Sequence, residues 1–568
     1  MKILGINCYH NFASASLVDE ERIVASVEEE RLSRIRYDGS FPERSIAACL
    51  EIGGAEIGDI DHVAFYYNPW LGLGKRAVEL LKGFPGSLGG AVGDYGSEWF
   101  KIARVEKEIR RRFRGKGRKP RFRFHWVDHY VAHAASCFLL SPFERAAILC
   151  IDGNGEQSTT WLGVGDGVHM TPLAEVPFPH SLGLLYATVT EYLGYLNNAH
   201  EGKVMGLAPY GKPVHIDAFR EIVRWIDGGQ FRLDLSYFLF HRDTRRWFSP
   251  LFEQRFGPAR GRDDELEDRH ADIAATAQLR TEEIGLALAR ELYDQAGTPN
   301  LCLAGGVVLN SVMNGRIQRE TRFENLFIQP AANDAGTSLG AALHVRARLL
   351  PDRIPMDTVY LGPGVRDGTI DEAAKEWKLP ELTGVDPIDE AARLLDEGAV
   401  VGWFHGRMEI GPRALGNRSI LADPRRADMK DRINHKIKKR ESYRPFAPVV
   451  LEEKRGDWFE SDAPSPYMLQ VVSVRPARRE QIPAVTHVDG TARLQTVGRR
   501  ENPAYYGIVE AFEKRTGVPV LLNTSFNWAG QPMVHTPSEA ARTFVESGMD
   551  WLVMEGRLFG RPDEQPGD

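Results

Sequence analysis

Short apolar runs separated by polar turns open the chain. The runs "KILGIN" (2–7), "ASASLV" (13–18) and the middle of "ERIVASVEEER" (21–31) consist of β-branched, aliphatic or small residues, and turn-forming residues stand between them. Runs of this length with such boundaries are typical of β-strands. The pattern therefore predicts strand, turn, strand, turn and strand, followed by a polar segment.

A similar pattern returns near residue 147. In "AILCIDGNGEQSTTWLGVG" (147–165), the pieces "ILCID" and "STTWLGV" align with "ILGIN" and "SASLV" of the opening. The match is short, but the shared order of apolar strand, polar turn and second strand is that of an internal repeat. Two such halves with helices between them predict an actin- or hexokinase-like ATPase fold, in which the two turns face each other across a nucleotide.

A third segment has the same character. "PNLCLAGGVVLNSVMNGRI" (299–317) predicts a strand, a Gly-Gly turn and a helix. Gly305 and Gly306 would let the backbone approach a phosphate or a nucleotide closely. Many strand-to-helix turns contain such a pair, so this turn alone does not identify a nucleotide site.

A Pro- and Gly-rich stretch near residues 350–366 predicts a linker. We place the domain boundary near residue 355, which gives domains of residues 1–355 and 356–568. Beyond it the sequence predicts strands at "AVVGWFHG", "GVPVLLNTSFN" and "DWLVMEGRLF" and a polar helix at "DMKDRINHKIKKRE". A further helix at "TPSEAARTFVESG" has a Thr N-cap, Pro at its first position and a terminal Gly.

Composition narrows the class of protein. The 568 residues suggest about two to four domains, and the formal net charge of −7 gives no overall attraction to nucleic acid. The basic stretch 104–123 is either a solvated helix end or a docking patch for an anionic partner. No apolar run reaches the roughly 20 residues that span a bilayer, and the five scattered cysteines form no CxxC pair. We therefore expect a cytoplasmic protein without membrane or nucleic-acid partners, and a homodimer is one open alternative for its oligomeric state.

Two histidines raise the question of a metal. His129 and His133 lie four residues apart in "WVDHYVAHAAS", so on a helix they project from one face. They are either two ligands of one ion or two ordinary histidines. Asp152 and Asp334 are carboxylates in glycine-containing turns. Two imidazoles and two carboxylates would suit iron(II), manganese or zinc, although their sequence spacing does not show that the four side chains meet.

A second candidate site lies in the C-terminal part. Residues 405–450 are dense in Arg and Lys, but Gly, Pro and aromatic residues interrupt them, as in "GPRALGNRS" and "YRPFAP". Guanidinium groups on turns favour an anion pocket, with a surface loop as the alternative. Asn523 and Ser525 follow a predicted buried strand, where they either bind a ligand or form an ordinary polar turn.

Together these phrases resemble one enzyme family. "HYVAHAAS", "EGKVMGLAPYG", "GRMEIGPRALGNRSILADPR", "KIKKRESYRPFAP" and "LLNTSFN" look like the O-carbamoyltransferases of the NodU/CmcH type. That family includes nodulation-factor enzymes and antibiotic-tailoring enzymes of secondary metabolism, such as the tobramycin carbamoyltransferase. The resemblance covers nearly the whole chain. It implies an N-terminal duplicated domain of the actin-like (ASKHA) type, similar to tRNA threonylcarbamoyladenosine enzymes, and a C-terminal YrdC-like α/β domain.

The resemblance also implies a reaction. The C-terminal domain would make carbamoyl adenylate from carbamoyl phosphate and Mg²⁺-bound ATP, releasing phosphate and pyrophosphate. Positive charge there would offset the charge that develops at the α-phosphate. The residues matching the family's carbamoyl- and phosphate-binding positions, the first three of them also catalytic, are Arg413, Lys438, Arg444, Asn523 and Ser525.

For the N-terminal domain the resemblance implies transfer of the carbamoyl group to a hydroxyl of a small-molecule acceptor, such as a natural product or glycoside. His129, His133, Asp152 and Asp334 match the metal ligands, the ion being iron(II) by resemblance, and His10 matches a general base at the acceptor. The residues implied to line the nucleotide are Gly153, Gly155, Glu201, Gly202, Gly305, Gly306 and Asn310.

The chain departs from the family at the acceptor side. Phe12 stands where many relatives have an acidic residue, and Arg36-Tyr37 stands where relatives often have Lys-His. These changes point to a less cationic acceptor than an aminoglycoside. The alternatives to an O-carbamoyltransferase are a tRNA threonylcarbamoyl-type enzyme, which the net negative charge disfavours, and a non-catalytic nucleotide-binding module, which would leave the basic 405–450 segment unexplained.

Overall fold

The computed structural model describes residues 1–71, 94–114, 119–243 and 245–562. The chain forms two compact units. Unit 1 comprises residues 1–29 and 37–356, and unit 2 comprises residues 30–36 and 357–568. The chain therefore passes into unit 2 briefly near its beginning, returns to unit 1, and enters unit 2 again after Met356.

Unit 1 contains a five-stranded sheet built from the opening of the chain. Its strands are β1 (Ile3–Asn7), β2 (Ser14–Val18), β3 (Ile23–Glu28), β4 (His62–Phe65) and β5 (Arg123–Trp126). The spatial order is β3-β2-β1-β4-β5. Neighbours among β1 to β3 are antiparallel, whereas β1, β4 and β5 run parallel. The predicted strand-turn-strand opening is therefore present.

A second five-stranded sheet repeats this arrangement. Its strands are β6 (Arg145–Ile151), β7 (Ser158–Asp166), β8 (His169–Pro177), β11 (Asn300–Ala304) and β12 (Asn325–Ile328). The order β8-β7-β6-β11-β12 has the same pattern, with β6, β7 and β8 antiparallel and β6, β11 and β12 parallel. A separate ribbon pairs β9 (Val223–Ile226) with β10 (Gln230–Leu233).

Helices cover both sheets. Helix α1 (Glu29–Ser33) begins at the last residue of unit 1 before the 30–36 segment. The described helices of unit 1 that follow it are α2 (Glu43–Ile52), α3 (Asp94–Ala103), α4 (Val105–Arg112), α5 (His129–Phe138), α6 (Leu182–Tyr192), α7 (Glu201–Leu207), α8 (Ile216–Ile222), α9 (Pro250–Phe256), α10 (Asp268–Ala296), α11 (Ser311–Glu320) and α12 (Thr337–Ala347). Helix α12 packs on β1, β2 and β4 and also against α5, which in turn packs on β6 and β11. The two helices thus lie between the two sheets. Strands β1 and β2 are buried along their whole length, as expected for a covered sheet.

Two glycines allow this close packing. A Cβ placed on Gly5 of β1 would lie 1.8 Å from the carbonyl oxygen of Ser338 in α12. A Cβ on Gly340 of α12 would lie 1.9 Å from the carbonyl oxygen of Ala132 in α5. The backbones of β1, α12 and α5 therefore approach one another more closely than any residue with a side chain permits.

Unit 2 is built on one nine-stranded sheet. Its strands are β13 (Glu381–Leu382), β14 (Val401–Phe404), β15 (Arg418–Ala422), β16 (Ala447–Leu451), β17 (Gln470–Ser473), β18 (Thr491–Val497), β19 (Val520–Ser525), β20 (Trp551–Met554) and β21 (Arg557–Phe559). The order is β13-β21-β20-β14-β15-β19-β16-β18-β17. Only the pairs β14/β20 and β16/β18 run parallel among these strands. The mixed α/β class predicted from the sequence is confirmed.

The helices of unit 2 include the strongly signalled one. They are α13 (Thr369–Glu376), α14 (Pro387–Asp396), α15 (Met429–Arg432), α16 (Arg455–Trp458), α17 (Pro503–Thr516) and α18 (Pro537–Ser547). Thr536 caps α18 by accepting a hydrogen bond from the Glu539 N–H, as its sequence predicts. The predicted polar helix near 428–441 differs: α15 runs directly into a π-helix, Ile433–Lys438.

The basic stretch 104–123 forms helix α4 and strand β5 where it is described. In α4, Arg110 pairs with Glu106 at 2.9 Å, and Arg112 pairs with Glu43 at 2.6 Å. Residues 115–118 lie outside the described ranges. In the described part, glutamates therefore balance these guanidinium groups. None of the described helices combines the length and apolar character that crossing a bilayer requires.

We expect Gly5→Ala to destabilise unit 1 by about 3 kcal/mol or more, because the new methyl group collides with backbone rather than with a flexible side chain. Thermal unfolding followed by calorimetry would measure the effect. Gly202→Ala is the matched stability control, since no described atom lies within 4 Å of its added Cβ. Equal melting temperatures for the two variants would contradict the close approach of β1 and α12.

Candidate functional site

Helix α5 presents two buried histidines. His129 is 2% exposed and His133 is fully buried. The Glu156 carboxylate accepts hydrogen bonds from the His129 N–H at 3.0 and 3.1 Å and from the Asn68 N–H at 2.7 Å. An acidic group at a helix N-terminus satisfies otherwise unpaired N–H groups and favours the helix dipole. Glu156 therefore fixes the first turn of the helix that carries both imidazoles.

The two predicted carboxylates meet these imidazoles. The Nε2 atoms of His129 and His133 lie 3.1 and 3.2 Å from Asp152 Oδ2. The same nitrogens lie 3.8 and 3.4 Å from Asp334 Oδ1. Donor atoms around a four-coordinate ion with bonds of about 2.0–2.2 Å are roughly 3.3–3.6 Å apart. The arrangement therefore fits a divalent metal ion, with one donor atom from each of the four residues.

Glycines hold the Asp152 carboxylate in place. Its Oδ1 accepts a hydrogen bond from the Gly306 N–H at 2.8 Å, which leaves Oδ2 facing the histidines. Gly305, with φ of +97°, lies so close to Ile151 that a Cβ would approach its carbonyl oxygen to 2.2 Å. The Gly-Gly turn predicted to contact a nucleotide therefore also orients a candidate metal ligand.

The ionisation of the cluster follows from burial and mutual charge. Burial opposes the charged form of Asp152, but hydrogen bonds from His129 and His133 outweigh it and hold the Asp152 pKa well below its usual range. Burial and the Asp152 charge raise the pKa of Asp334. Burial alone would lower the pKa of His133, but the two carboxylates raise it to about 9. The ionisation states of His133, Asp152 and Asp334 therefore depend on one another.

His10 is linked to this cluster by aromatic side chains. Its Nδ1 hydrogen bonds the Tyr66 hydroxyl, and the Tyr66 ring centroid lies 5.6 Å from that of His129. Burial, followed by the nearby Asp334 charge, raises the Tyr66 pKa well above its usual range, so Tyr66 remains a neutral phenol. His10 therefore lies one aromatic residue away from the metal-ligand cluster.

The backbone around His10 is unusual. Tyr9, Phe12 and Tyr37 have φ values of 75°, 63° and 59°, in the left-handed region that non-glycine residues rarely adopt. Phe12 and Tyr37 also contact each other edge to face, with ring centroids 5.6 Å apart. Such conformations cost about 1–3 kcal/mol each and concentrate at functional sites. Phe12 and Tyr37, two of the three residues that depart from the family pattern, therefore form one aromatic wall.

The other predicted nucleotide residues have varied surroundings. Gly155 packs against His129, to which an added Cβ would come within 3.0 Å, whereas Gly153 has more space. Burial raises the pKa of Glu201, at the start of α7 beside Gly202, to about 7. The Asn310 amide accepts a hydrogen bond from the Met313 N–H and exchanges hydrogen bonds with Gln278. The Asn310 side chain is therefore engaged in capping α11.

Unit 2 brings together the second predicted set. Lys438 ends the π-helix and is 4% exposed. Its ammonium group donates to the Ser525 carbonyl and hydroxyl oxygens, the latter at 3.3 Å, and to Asn527 Oδ1 at 2.8 Å. Asn523, in the same strand as Ser525, donates to the Ala414 carbonyl at 3.0 Å, next to Arg413. Lys438, Asn523, Ser525 and Arg413 thus share one region.

Repulsion among cations acts on Arg413 and Lys438, whereas Arg444 pairs with Glu441 at 3.7 Å. Burial and the Arg444 charge lower the pKa of Arg413 to about 10. Burial, Arg440, Arg444 and Arg36 lower the pKa of Lys438. No carboxylate is among the causes of either shift. A concentration of buried positive charge with mutual repulsion is suited to binding an anion, because an anion would remove the repulsion.

Two arginines of this cluster were missed at the level of sequence. Arg440 donates to Asn434 Oδ1 at 2.7 Å, and burial and Arg444 lower its pKa to about 9. Arg493 lies in β18, and burial and the charges of Arg413, Arg444 and Arg440 lower its pKa. The available signal for Arg493 was a single charged residue within the strand "ARLQTV". Arg440 stood inside the basic run and could not be distinguished there.

The chain matches two family descriptions with these residues in place: "Carbamoyltransferase N-terminus" over residues 2–343 and "Carbamoyltransferase C-terminus" over residues 392–561. The chain belongs to the carbamoyltransferase family. The enzyme is 39% identical to nodulation protein NolNO of Sinorhizobium fredii over 99% of its length and 81% of that protein. It is 28% identical to nodulation protein U of the same organism over 99% of each chain.

Among solved structures, the carbamoyltransferase is similar to component A of the (R)-2-hydroxyglutaryl-CoA dehydratase of Acidaminococcus fermentans, with a TM-score of 0.32 and 14% identity. The likeness covers 61% of this chain and 98% of that one. The assignment to the family therefore depends on the sequence matches, and the site geometry is described by the enzyme's own residues.

We expect the purified enzyme to retain about one divalent ion per chain. The His133→Ala variant should lose this ion, because the three donor atoms that remain do not complete a tetrahedral site. Metal analysis by mass spectrometry after gel filtration measures this. His169→Ala, an exposed histidine of β8, is the control. The same metal content in wild type and His133→Ala would contradict the site.

Proposed function

We propose that the enzyme is an ATP-dependent O-carbamoyltransferase: unit 2 forms carbamoyl adenylate, and unit 1 transfers the carbamoyl group to a hydroxyl of a small-molecule acceptor. The observation that supports this most is the buried cation cluster of unit 2, in which burial and neighbouring guanidinium groups, Arg444 among them, lower the pKa values of Arg413, Arg440 and Lys438. Carbamoyl phosphate and the triphosphate of ATP are anions of the kind that such a cluster would bind.

The same proposal extends to the fold. We assign unit 1 to the duplicated actin-like class, for which the shared strand order and strand directions of its two five-stranded sheets are the support. We assign unit 2 to the YrdC-like class on the resemblance of its "GPRALGNRS" and "YRPFAP" segments.

In unit 2 the proposed donor reaction has two steps. Water cleaves carbamoyl phosphate into carbamate and phosphate, and a carbamate oxygen then attacks the α-phosphorus of Mg²⁺-bound ATP, displacing pyrophosphate. Arg413, Lys438 and Arg444 stabilise the negative charge that develops on the phosphoryl oxygens. Asn523 and Ser525 orient the carbamoyl group through hydrogen bonds. Arg440 and Arg493 add positive charge to the same cluster.

In unit 1 His129, His133, Asp152 and Asp334 would hold a divalent ion, with iron(II) proposed and manganese or zinc as alternatives. When bound, the ion supplies a Lewis acid for the adenylate phosphate or the carbamoyl carbonyl. The nucleotide would lie along the turns containing Gly153, Gly155, Gly305 and Gly306 and near Glu201, Gly202 and Asn310. This chain's turns would orient the adenylate while its buried surroundings exclude water.

The acceptor would be deprotonated by His10. With its Nδ1–H donating to the Tyr66 hydroxyl oxygen, the His10 Nε2 lone pair can take the proton of the acceptor hydroxyl. The hydroxyl oxygen then forms a bond to the carbamoyl carbon, and AMP leaves. The aromatic wall of Phe12 and Tyr37 favours a neutral natural product or glycoside over a cationic acceptor. We propose that this reaction takes place in the cytoplasm without a nucleic-acid partner.

We expect variants of the two units to fail at different steps. Arg413→Ala should lower kcat/KM for carbamoyl-phosphate-dependent pyrophosphate release by roughly 100-fold, because a charged phosphate contact is lost. His133→Ala should retain that release within about three-fold but transfer no labelled carbamoyl group to any of a panel of glycosides that wild type modifies.

Arg542→Ala, an exposed arginine paired with Glu546, is the control for the donor reaction. Pyrophosphate release that does not depend on carbamoyl phosphate would refute the donor reaction. Replacing carbamoyl phosphate with threonine and bicarbonate would test for a threonylcarbamoyl-type reaction.

We expect a pH effect from Lys438. Burial and neighbouring arginines lower its pKa, so the neutral amine is populated at lower pH than for an exposed lysine. Anion binding favours the ammonium form, and the KM for carbamoyl phosphate should therefore rise as pH increases through that lowered pKa. Lys438→Met should show a higher KM and should lack the part of this rise that comes from Lys438. An unchanged alkaline limb in Lys438→Met would assign the titration to another group.

A further inference from the structure

Residues 30–36 lie in unit 2, although the residues before and after them belong to unit 1. The chain leaves unit 1 after Glu29, whose carboxylate accepts hydrogen bonds from the Ser45 N–H at 2.7 Å and the Arg44 N–H at 3.2 Å. It returns at Tyr37, whose hydroxyl donates to the Ala199 carbonyl at 3.0 Å. Both ends of the segment are thus fixed in unit 1. Nothing in the reaction proposed above assigns a role to the segment between them.

Arg31 of this segment holds the backbone of the Arg413 loop. The Arg31 side chain is buried, at 4% exposure, and its Nη2 donates to the Gly411 carbonyl oxygen at 2.7 Å. Gly411 has a φ of +86° and precedes Arg413 by two residues. A charged donor bound to a buried carbonyl group is a strong restraint, because the carbonyl cannot turn to water instead.

Arg34 acts on the same loop from another direction. Its guanidinium donates to the Pro532 carbonyl at 2.9 Å and to the Met533 carbonyl at 2.5 Å. The Met533 side chain packs in a small buried cluster with Met408 and Ala414, the residue after Arg413. Arg34 therefore binds the backbone of a residue in this apolar cluster, whereas Arg31 binds the backbone of the loop itself.

The remaining anchor comes from the C-terminal part of the chain. The Glu409 carboxylate accepts hydrogen bonds from the Leu415 N–H at 2.7 Å and the Arg418 N–H at 3.2 Å. These contacts fix the loop after Arg413, whereas Arg31 fixes it before Arg413. The position of the Arg413 loop is therefore set on one side by Glu409 of the C-terminal part of the chain and on the other by residues from its N-terminal end.

We propose that Arg31 and Arg34 are positioning residues of the carbamoyl phosphate site, acting through Arg413. The inference rests on the proposed role of Arg413 in binding carbamoyl phosphate. Arg31 and Arg34 do not touch the substrate. Arg31 binds the backbone of the Arg413 loop, and Arg34 binds the backbone next to the apolar cluster that contains Ala414. The 30–36 segment thereby completes the proposed donor site of unit 2.

The test compares full-length Arg31→Met, Arg34→Met, Arg413→Ala and the Arg31→Met/Arg413→Ala double variant in pyrophosphate release. Methionine keeps the buried apolar volume and removes the donor groups. For Arg31→Met we expect the KM for carbamoyl phosphate to rise about 10-fold or more, the range of a lost charged hydrogen bond, while the KM for ATP stays within about two-fold. Arg34→Met should show the same split with a smaller change.

The double variant separates positioning from general damage. If Arg31 acts through Arg413, adding Arg31→Met to Arg413→Ala should change the KM for carbamoyl phosphate by less than about two-fold. Arg561→Met is the matched control, because Arg561 also donates both arms to backbone carbonyls of unit 2, those of Met549 and Val545. Arg31→Lys, which retains a charged donor, should recover part of the affinity and covers the case in which Arg31→Met does not fold.

The two levels of the hypothesis can fail separately. An Arg413→Ala enzyme with an unchanged KM for carbamoyl phosphate would refute the proposed role of Arg413. A raised KM in Arg413→Ala combined with an unchanged KM in Arg31→Met, or with fully multiplicative effects in the double variant, would leave the donor site in place and refute positioning by the 30–36 segment.

Discussion

The close packing of α12 against β1 and α5 is the constraint on which the rest of unit 1 depends. Asp334 stands just before α12, and His129 and His133 stand on α5, so the separation of these two helices sets the distance between carboxylate and imidazoles. A methyl group at Gly340 would push the helices apart where the backbone now passes in direct contact. Ligand atoms within 4.8 Å of one another leave no room for such a shift.

Unit 2 has a different constraint, which is electrostatic. Burying several guanidinium groups and an ammonium group together is unfavourable even though Glu441 pairs with Arg444, and the lowered pKa values of Arg413, Arg440 and Lys438 express that cost. Hydrogen bonds within unit 2 offset part of this cost by fixing the cationic groups in place. Lys438 is tied to Ser525 and Asn527, and Arg440 to Asn434. The site is therefore organised before any anion arrives, which reduces the reorganisation needed during reaction.

Local sequence patterns predicted strands and a capped helix. They did not predict contacts between residues that lie far apart in the sequence. The turn-bounded apolar runs predicted the strands, and the cap of α18 was readable because its signals lie within a few residues. The i, i+4 spacing placed His129 and His133 on one face. That Asp152 and Asp334 would meet them came only from the family resemblance, since these contacts span up to 205 residues of sequence separation, from His129 to Asp334. Arg440 carried no distinguishing local signal, and Arg493 carried only that of a charged residue within a strand. Nothing in "ERLSRIR" indicated that this segment belongs to the other unit.

Because residues 30–36 belong to unit 2, a single cut at the linker does not separate the two units. A cut after Met356 would give a C-terminal fragment without residues 30–36 and would leave the carbonyl groups of Gly411 and Met533 without their guanidinium donors. The two units are therefore not interchangeable modules. Exchanging the C-terminal part between relatives would transfer the proposed donor site together with a requirement for a matching N-terminal segment. Recombination at the linker is therefore expected to succeed only between chains that agree in both segments.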